Sequence, residues 1–213
     1  GHAGRKASTD LPWLGGKQIA PDHANGWQTQ APSPIPFDPS ENAPAELSKD
    51  EIAALVEAFA QAARRAARLD IAAIQLHAAH GYLIHQFLSP VANQRVDRYG
   101  QQRERFAFDV AEAVRREWPD NLPLFWRVSL ADVEDGGLAF EEMAHLLRGL
   151  RDRGVDVGDC SSGGGIASYP TQGRSVSNDL TFRADVAGQL RAATGLDVMG
   201  VGLIIDPRAA EHH

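Results

Sequence analysis

The sequence predicts an α/β fold, a partial (β/α)8 TIM barrel forming a single domain over residues 1–213, and three observations predict it. Short apolar strands alternate with amphipathic helices from Ser48 onward. That order implies right-handed crossovers and a parallel sheet. None of the first strand-to-helix turns reads G-x-G-x-x-G, the phosphate loop that usually opens a doubly wound sheet. The unusual polar residues His77, His80, Ser129, Asp132, Ser161 and Ser162 lie at or just past strand ends, where barrels carry their chemistry. A complete barrel takes about 250 residues. The 213 residues here supply four strands and the end of another at residues 1–4, so the barrel is partial.

Taken in order, residues 9–46 are rich in Pro, Gly, Asn, Gln and Asp and hold neither a strand nor a helix period. They read as a long excursion over a domain face. Trp13 and Trp27 serve as aromatic anchors that a flexible linker would lack. Ser48 and Glu51 form a capping box, and Ile52, Leu55, Val56, Phe59, Ala63 and Ala66 carry a helix to about Arg68. Ile71–Leu76 reads as a buried strand. Residues 103–118 form a helix with Phe106, Val110, Ala113 and Val114 on one face, and Pro123–Val128 is the next strand. A helix from Phe140 through Leu150 stops at Gly154, followed by the strand Val155–Cys160. A helix over about 180–193 and the strand Leu196–Val201 complete the series.

Composition narrows the function. The chain is 43% hydrophobic and 23% charged, with a formal net charge of -7, which is globular rather than disordered composition. A pI near 5.6 argues against nucleic acid as the main partner. No apolar run approaches the roughly 18 residues a bilayer span needs. The opening Gly1-His-Ala-Gly-Arg5 has none of the regions of a signal peptide. The expectation is a cytoplasmic protein, or a piece of one, with a small-molecule substrate and no membrane partner. Cys160 is the lone cysteine, so no internal disulfide forms, as suits a reducing compartment.

The densest chemical signal is the run His77 to Pro90. A strand delivers His77 to the sheet rim, His80 follows three residues later, and two adjacent imidazoles can aim N–H donors at one carbonyl oxygen. Tyr82 offers a phenol as proton donor. The plainer alternative has both histidines capping a strand end. A metal-dependent hydrolase or isomerase using His77, His80 and an acid such as Asp132 is the rival enzyme class. His85, a conceivable third ligand, follows Leu-Ile in an apolar helical turn and reads as packed. Arg127 is the one charge in an apolar strand and needs an anion, either an internal carboxylate or a cofactor that develops negative charge. Gly163–Gly165 and Gly200–Gly202 follow strands, where backbone amides can approach a ligand or simply turn. Cys160 reads as a small buried hydrophobe. Arg103, Arg105, Arg115 and Arg116 alternate with acids as a solvated face.

Four stretches together resemble the old yellow enzyme family of flavin-dependent ene-reductases: Gly1–Ser8, His77–Pro90, Asn93-Gln-Arg-Val-Asp-Arg-Tyr-Gly100 and Asp159-Cys-Ser-Ser-Gly-Gly164. Gly26-Trp27 and Ala31-Pro-Ser33 are most similar to its bacterial, thermophilic-like branch. The resemblance covers nearly the whole chain. It implies a barrel bearing FMN, reduced by NADPH or NADH, that reduces activated C=C bonds of α,β-unsaturated carbonyl or nitro compounds, and a homo-oligomer is expected. His77 and His80 match the pair that binds the substrate oxygen, Tyr82 the proton donor, Arg127 the arginine at the flavin's pyrimidine edge and Gly202 a glycine near its phosphate. The match runs over about strands three to seven, so the family's other flavin contacts, from its first, second and last strands, have no counterpart here. After Tyr99-Gly100 the chain omits the family's longer Gly-Ser-x-x-Asn-Arg stretch, and the region after Gly165 is shortened. The non-enzymatic alternative is an inactive fragment needing a complementing chain.

Overall fold

Glycine, proline and small polar residues leave the N-terminal 47 residues with little regular structure. In the computed structural model, which describes residues 1–130, 138–162, 182–202, 204 and 207–212, this segment holds two 3-10 turns, Gly4–Lys6 and Pro12–Leu14, and one two-residue parallel pair. That pair joins β1 (Gln30–Ala31) to β2 (Ala45–Glu46). The expected strand end at residues 1–4 is not a strand. Instead His2 O accepts the Leu83 amide, and Gly1 lies so close to His77 that a Cβ there would sit 3.2 Å from the histidine's own. The excursion follows the domain body, but its tryptophans do not anchor it: Trp13 is 77% and Trp27 55% exposed. Polar ties do that work. Arg95 Nη1 donates to Pro32 O and Leu47 O, the Gln94 amide donates to Ser33 Oγ, and Arg5 Nη1 donates to Ile35 O.

Helix α1 (Lys49–Ala67) starts where its capping box places it, with the Glu51 amide donating to Ser48 Oγ and the Ser48 amide to Glu51 Oε2. Strand β3 runs Ile74–Ala78, three residues later than the apolar run suggests. The chain is still turning after α1: Asp70 takes a left-handed φ of 51°, and Ile71 is exposed. Short helices α2 (Leu83–Leu88) and α3 (Arg98–Gln101) lead into α4 (Arg105–Glu117), which packs on α1. Then follow β4 (Leu124–Ser129), α5 (Phe140–Arg151), β5 (Val157–Ser161), α6 (Phe182–Thr194), β6 (Asp197–Gly200) and α7 (Pro207–His212). Arg115 departs from the solvated face expected of it. Its guanidinium donates to the carbonyls of Gly154, Trp118, Pro119 and Leu122, stitching the turns before β4 and β5 together.

The described strands β3, β4, β5 and β6 form one parallel sheet in sequence order. Each strand lies beside its predecessor, so there is no switch point of the kind that defines a doubly wound sheet. The arrangement is an arc of barrel wall. Because side chains alternate across a strand, Leu76, Ala78, Leu124, Trp126, Val128 and Cys160 form one face, buried in the core with Phe106, Val110, Val114, Leu147 and Leu150 from the helices. Gln75, His77, Arg127, Ser129, Asp159 and Ser161 fall on the other face, the interior of a barrel. Cys160 is fully buried, and desolvation pushes its thiol up to about 12, so it is the inert hydrophobe that the sequence suggests.

Arg95 ties both the excursion, at Pro32 and Glu46, and the residue that follows it, Leu47, to the body. Arg95→Met should speed proteolytic nicking within residues 9–46 at least several-fold while leaving cleavage elsewhere unchanged, as read by limited proteolysis and mass spectrometry. Unchanged nicking would show that the excursion is held by other contacts.

Candidate active site

Parallel register builds the site. His77 on β3 pairs with Arg127 on β4, and Arg127 with Asp159 on β5, so three polar residues share one row of the sheet. Ser129 and Ser161 pair in the next row toward the strands' C-terminal ends. Asp159, 1% exposed, needs a donor because an unpaired buried carboxylate is very costly. It receives Arg127 Nη1 at 3.3 Å and Gln75 Nε2 at 2.6 Å on the same oxygen. Of the two anions proposed for Arg127, the internal carboxylate is therefore present in the fold.

Past β3 the backbone turns sharply, and His80 sits at φ 59°, a left-handed conformation that costs a branched-chain-free but bulky residue strain energy. Two polar contacts hold it there. The His80 amide donates to Ser129 Oγ at 2.9 Å, and Lys6 Nζ donates to the His80 carbonyl at 2.9 Å. Next, the Gly81 amide donates to His85 Nδ1, and Gln86 Nε2 donates to Gly81 O and Ala3 O. His85 is thus a packed, loop-shaping residue, as its apolar flanks suggest. The outcome is a compact aromatic triad. The His77 and His80 rings lie 5.1 Å apart between centroids, and His77 and Tyr82 lie 5.2 Å apart, both edge-on. The Lys6 ammonium stands 5.0 Å from the Tyr82 ring and 4.8 Å from that of Phe37, a cation–π arrangement.

Both histidines are held neutral. Burial first, then the Arg127 charge, keeps His77 below the usual imidazole range. Burial, then His77 and Arg127, brings His80 down to about 4. A neutral imidazole has one N–H donor, so the pair can place up to two donors on one electron-rich oxygen while neither competes as a bound cation. His80 Nε2 lies 3.0 Å from Ser161 Oγ, which also receives Arg127 Nη2 at 3.1 Å. Arg127 Nε is buried without a partner, while 26% of the side chain remains open on the interior face. That spare donor fits an acceptor-rich edge such as the pyrimidine side of the flavin the resemblance implies.

The structure thus brings together His77, His80, Tyr82 and Arg127. Gly202 stands just past β6, exposed, with a φ of 114° that glycine tolerates, and no hydrogen bond among the described residues joins it to the histidines. Asp132 and Gly163–Gly165 lie outside the described residues. Among the described residues no trio of His, Cys, Asp or Glu gathers in metal-binding geometry, and no helix is long and apolar enough to cross a membrane. Sequence reasoning passed over Lys6, Gln75 and Asp159 as site residues. The signals were available: Lys6 lies in the Gly1–Ser8 stretch, and Asp159 opens the Asp159–Gly164 stretch.

The sequence profile of the NADH:flavin oxidoreductase / NADH oxidase family matches residues 4–213. An NADPH dehydrogenase of Clostridium acetobutylicum is 46% identical over 85% of this chain and 52% of its own length. One from Bacillus velezensis is 37% identical over 99% of this chain and 56% of its own. The chain therefore spans about half the length of these curated relatives. The solved old yellow enzyme homologue from Zymomonas mobilis superposes with a TM-score of 0.68, at 22% identity, over 99% of this chain and 58% of that one, a likeness that shows the shared barrel fold.

The depressed His80 value makes stability pH-dependent with a definite sign. Unfolded His80 takes up a proton near its ordinary 6.5, whereas the folded residue does so only near 4. Between those values the unfolded state binds more protons, so stability falls as pH drops through that window. His80→Asn should flatten the pH dependence of the urea midpoint between about pH 6.5 and 4 relative to wild type. An equally steep loss in the variant would place the titration elsewhere.

Proposed function

Because this chain belongs to the NADH:flavin oxidoreductase / NADH oxidase family, the old yellow enzymes, we propose that it carries the substrate-binding and proton-donating part of an FMN-dependent NAD(P)H oxidoreductase that reduces the activated C=C bond of α,β-unsaturated carbonyl or nitro compounds. The observation that carries the reading is the pair of neutral imidazoles with centroids 5.1 Å apart beside the Tyr82 phenol. FMN is the family's cofactor, and when bound it supplies hydride transfer between a reduced nicotinamide and the substrate. Arg127 would hold its acceptor-rich edge with the spare Nε–H, and Gly202 is the proposed contact near its phosphate.

The chain's own residues then have distinct tasks. His77 and His80 donate to the carbonyl or nitro oxygen, drawing electron density from the conjugated double bond and stabilising the charge that grows on that oxygen. Neutral rings suit this role, since a donor preorganised in a poorly hydrated site needs no reorganisation as charge develops. Tyr82, edge-on to His77, delivers its phenolic proton to the α-carbon. The Lys6 ammonium against the Tyr82 ring favours the electron-rich phenolate left behind.

Two experiments test this on the flavin-loaded enzyme. His77→Ala and His80→Ala should each weaken the long-wavelength band that a bound phenol gives with oxidised flavin and slow enone reduction by about 10²–10³-fold, the usual cost of one oxyanion donor. Unchanged phenol binding in both variants would sink the substrate assignment. Tyr82→Phe should slow reoxidation by an enone by about 10²-fold or more, the scale of general acid catalysis, while sparing reduction by NAD(P)H in stopped-flow traces. Equal slowing of both half-reactions would give Tyr82 a packing role instead.

A further inference from the structure

We propose that Ser161 is a positioning residue that fixes the tautomer of His80, holding the ring proton on Nδ1, and that Arg127 imposes this through the serine hydroxyl. The guanidinium has donors only. With Arg127 Nη2 at 3.1 Å, Ser161 Oγ must accept there. The same oxygen lies 3.0 Å from His80 Nε2. Ser161 is buried, and among the described residues Arg127 and His80 are the partners of its hydroxyl. Were Nε2 protonated, Oγ would accept from both neighbours, and its own proton would be buried with no acceptor, an arrangement that folded proteins avoid. With Nε2 unprotonated, both contacts of the hydroxyl are satisfied: Arg127 donates to Oγ, and Oγ–H donates to Nε2.

His80 stays neutral in this setting because burial and the nearby positive charge of Arg127 disfavour the imidazolium. A neutral ring whose Nε2 accepts carries its proton on Nδ1. Arg127 is itself aimed by Asp159, which Gln75 holds from β3. The chain of control therefore runs Asp159, Arg127, Ser161, His80, from β5 and β4 to the turn after β3. Under the proposed function, on which only the catalytic meaning of this inference rests, Nδ1–H is the donor that His80 offers the substrate oxygen.

The tautomer can be read directly. Protein labelled with 15N-histidine, examined as purified by long-range 1H–15N correlation near pH 7.5, should show for His80 a protonated Nδ1 and an unprotonated Nε2, the resonances being assigned by their loss in His80→Asn. Ser161→Ala should move His80 toward the Nε2–H form or a mixture, while Ser161→Thr, which keeps the hydroxyl, should retain the wild-type pattern. An Nε2–H signature in the wild type, or an unchanged pattern in Ser161→Ala, overturns the proposal. The wild-type spectrum decides the matter even if the alanine variant fails to fold. Because the readout is a nitrogen shift, it stands or falls separately from phenol binding by His77 and His80.

Discussion

Asp159 is an almost wholly buried carboxylate that must be paired, and the site is organised around how it is paired. Its partner Arg127 comes from the neighbouring strand in exact parallel register. A buried ion pair of this kind adds little net stability, because desolvation offsets most of the attraction, but removing either member is severely destabilising. The pair therefore acts as a geometric constraint more than as glue. It settles which way the guanidinium points, and hence which atoms are left to reach Ser161 and, through it, His80. Burial is what chiefly keeps both histidines neutral, and the Arg127 charge adds to it. One contact thus sets the geometry of the site and contributes to its electrostatics.

The second constraint is the turn after β3. A left-handed backbone at His80 is tolerated because it is over-determined: Ser129 holds the residue's amide and Lys6 its carbonyl. The N-terminal residues do more than lead into the domain. Through Lys6, Ala3 and His2 they bond to the loop and to the start of α2, so the loop carrying His80 and Tyr82 is shaped from both sides. Strain at such a loop is characteristic of functional sites, and its cost is met by the rigid sheet and buried helix to which it is tied.

Much of this was legible in the residues themselves. Helical periodicity, the Ser48–Glu51 box and the strand–helix alternation are local properties, set by side-chain size and backbone propensity over a few residues, so α1, α4, α5 and α6 and the parallel order of β3 to β6 could be read directly. The stretch His77–Tyr82 stood out as a candidate site because three polar rings at a strand end serve packing poorly. What the residues alone could not decide depends on distant neighbours. Ile71 is as apolar as a core residue, yet the left-handed turn at Asp70 leaves it outside β3. Trp13 and Trp27 look like anchors and are exposed, while Arg115, which looks like a surface charge, is consumed by backbone carbonyls. The pairing of Arg127 with Asp159, the reach of Lys6 to His80 and the sharing of Ser161 between a guanidinium and an imidazole join residues 32 to 81 positions apart. Only strand register and loop closure bring such groups within hydrogen-bond distance, so tertiary structure decided them.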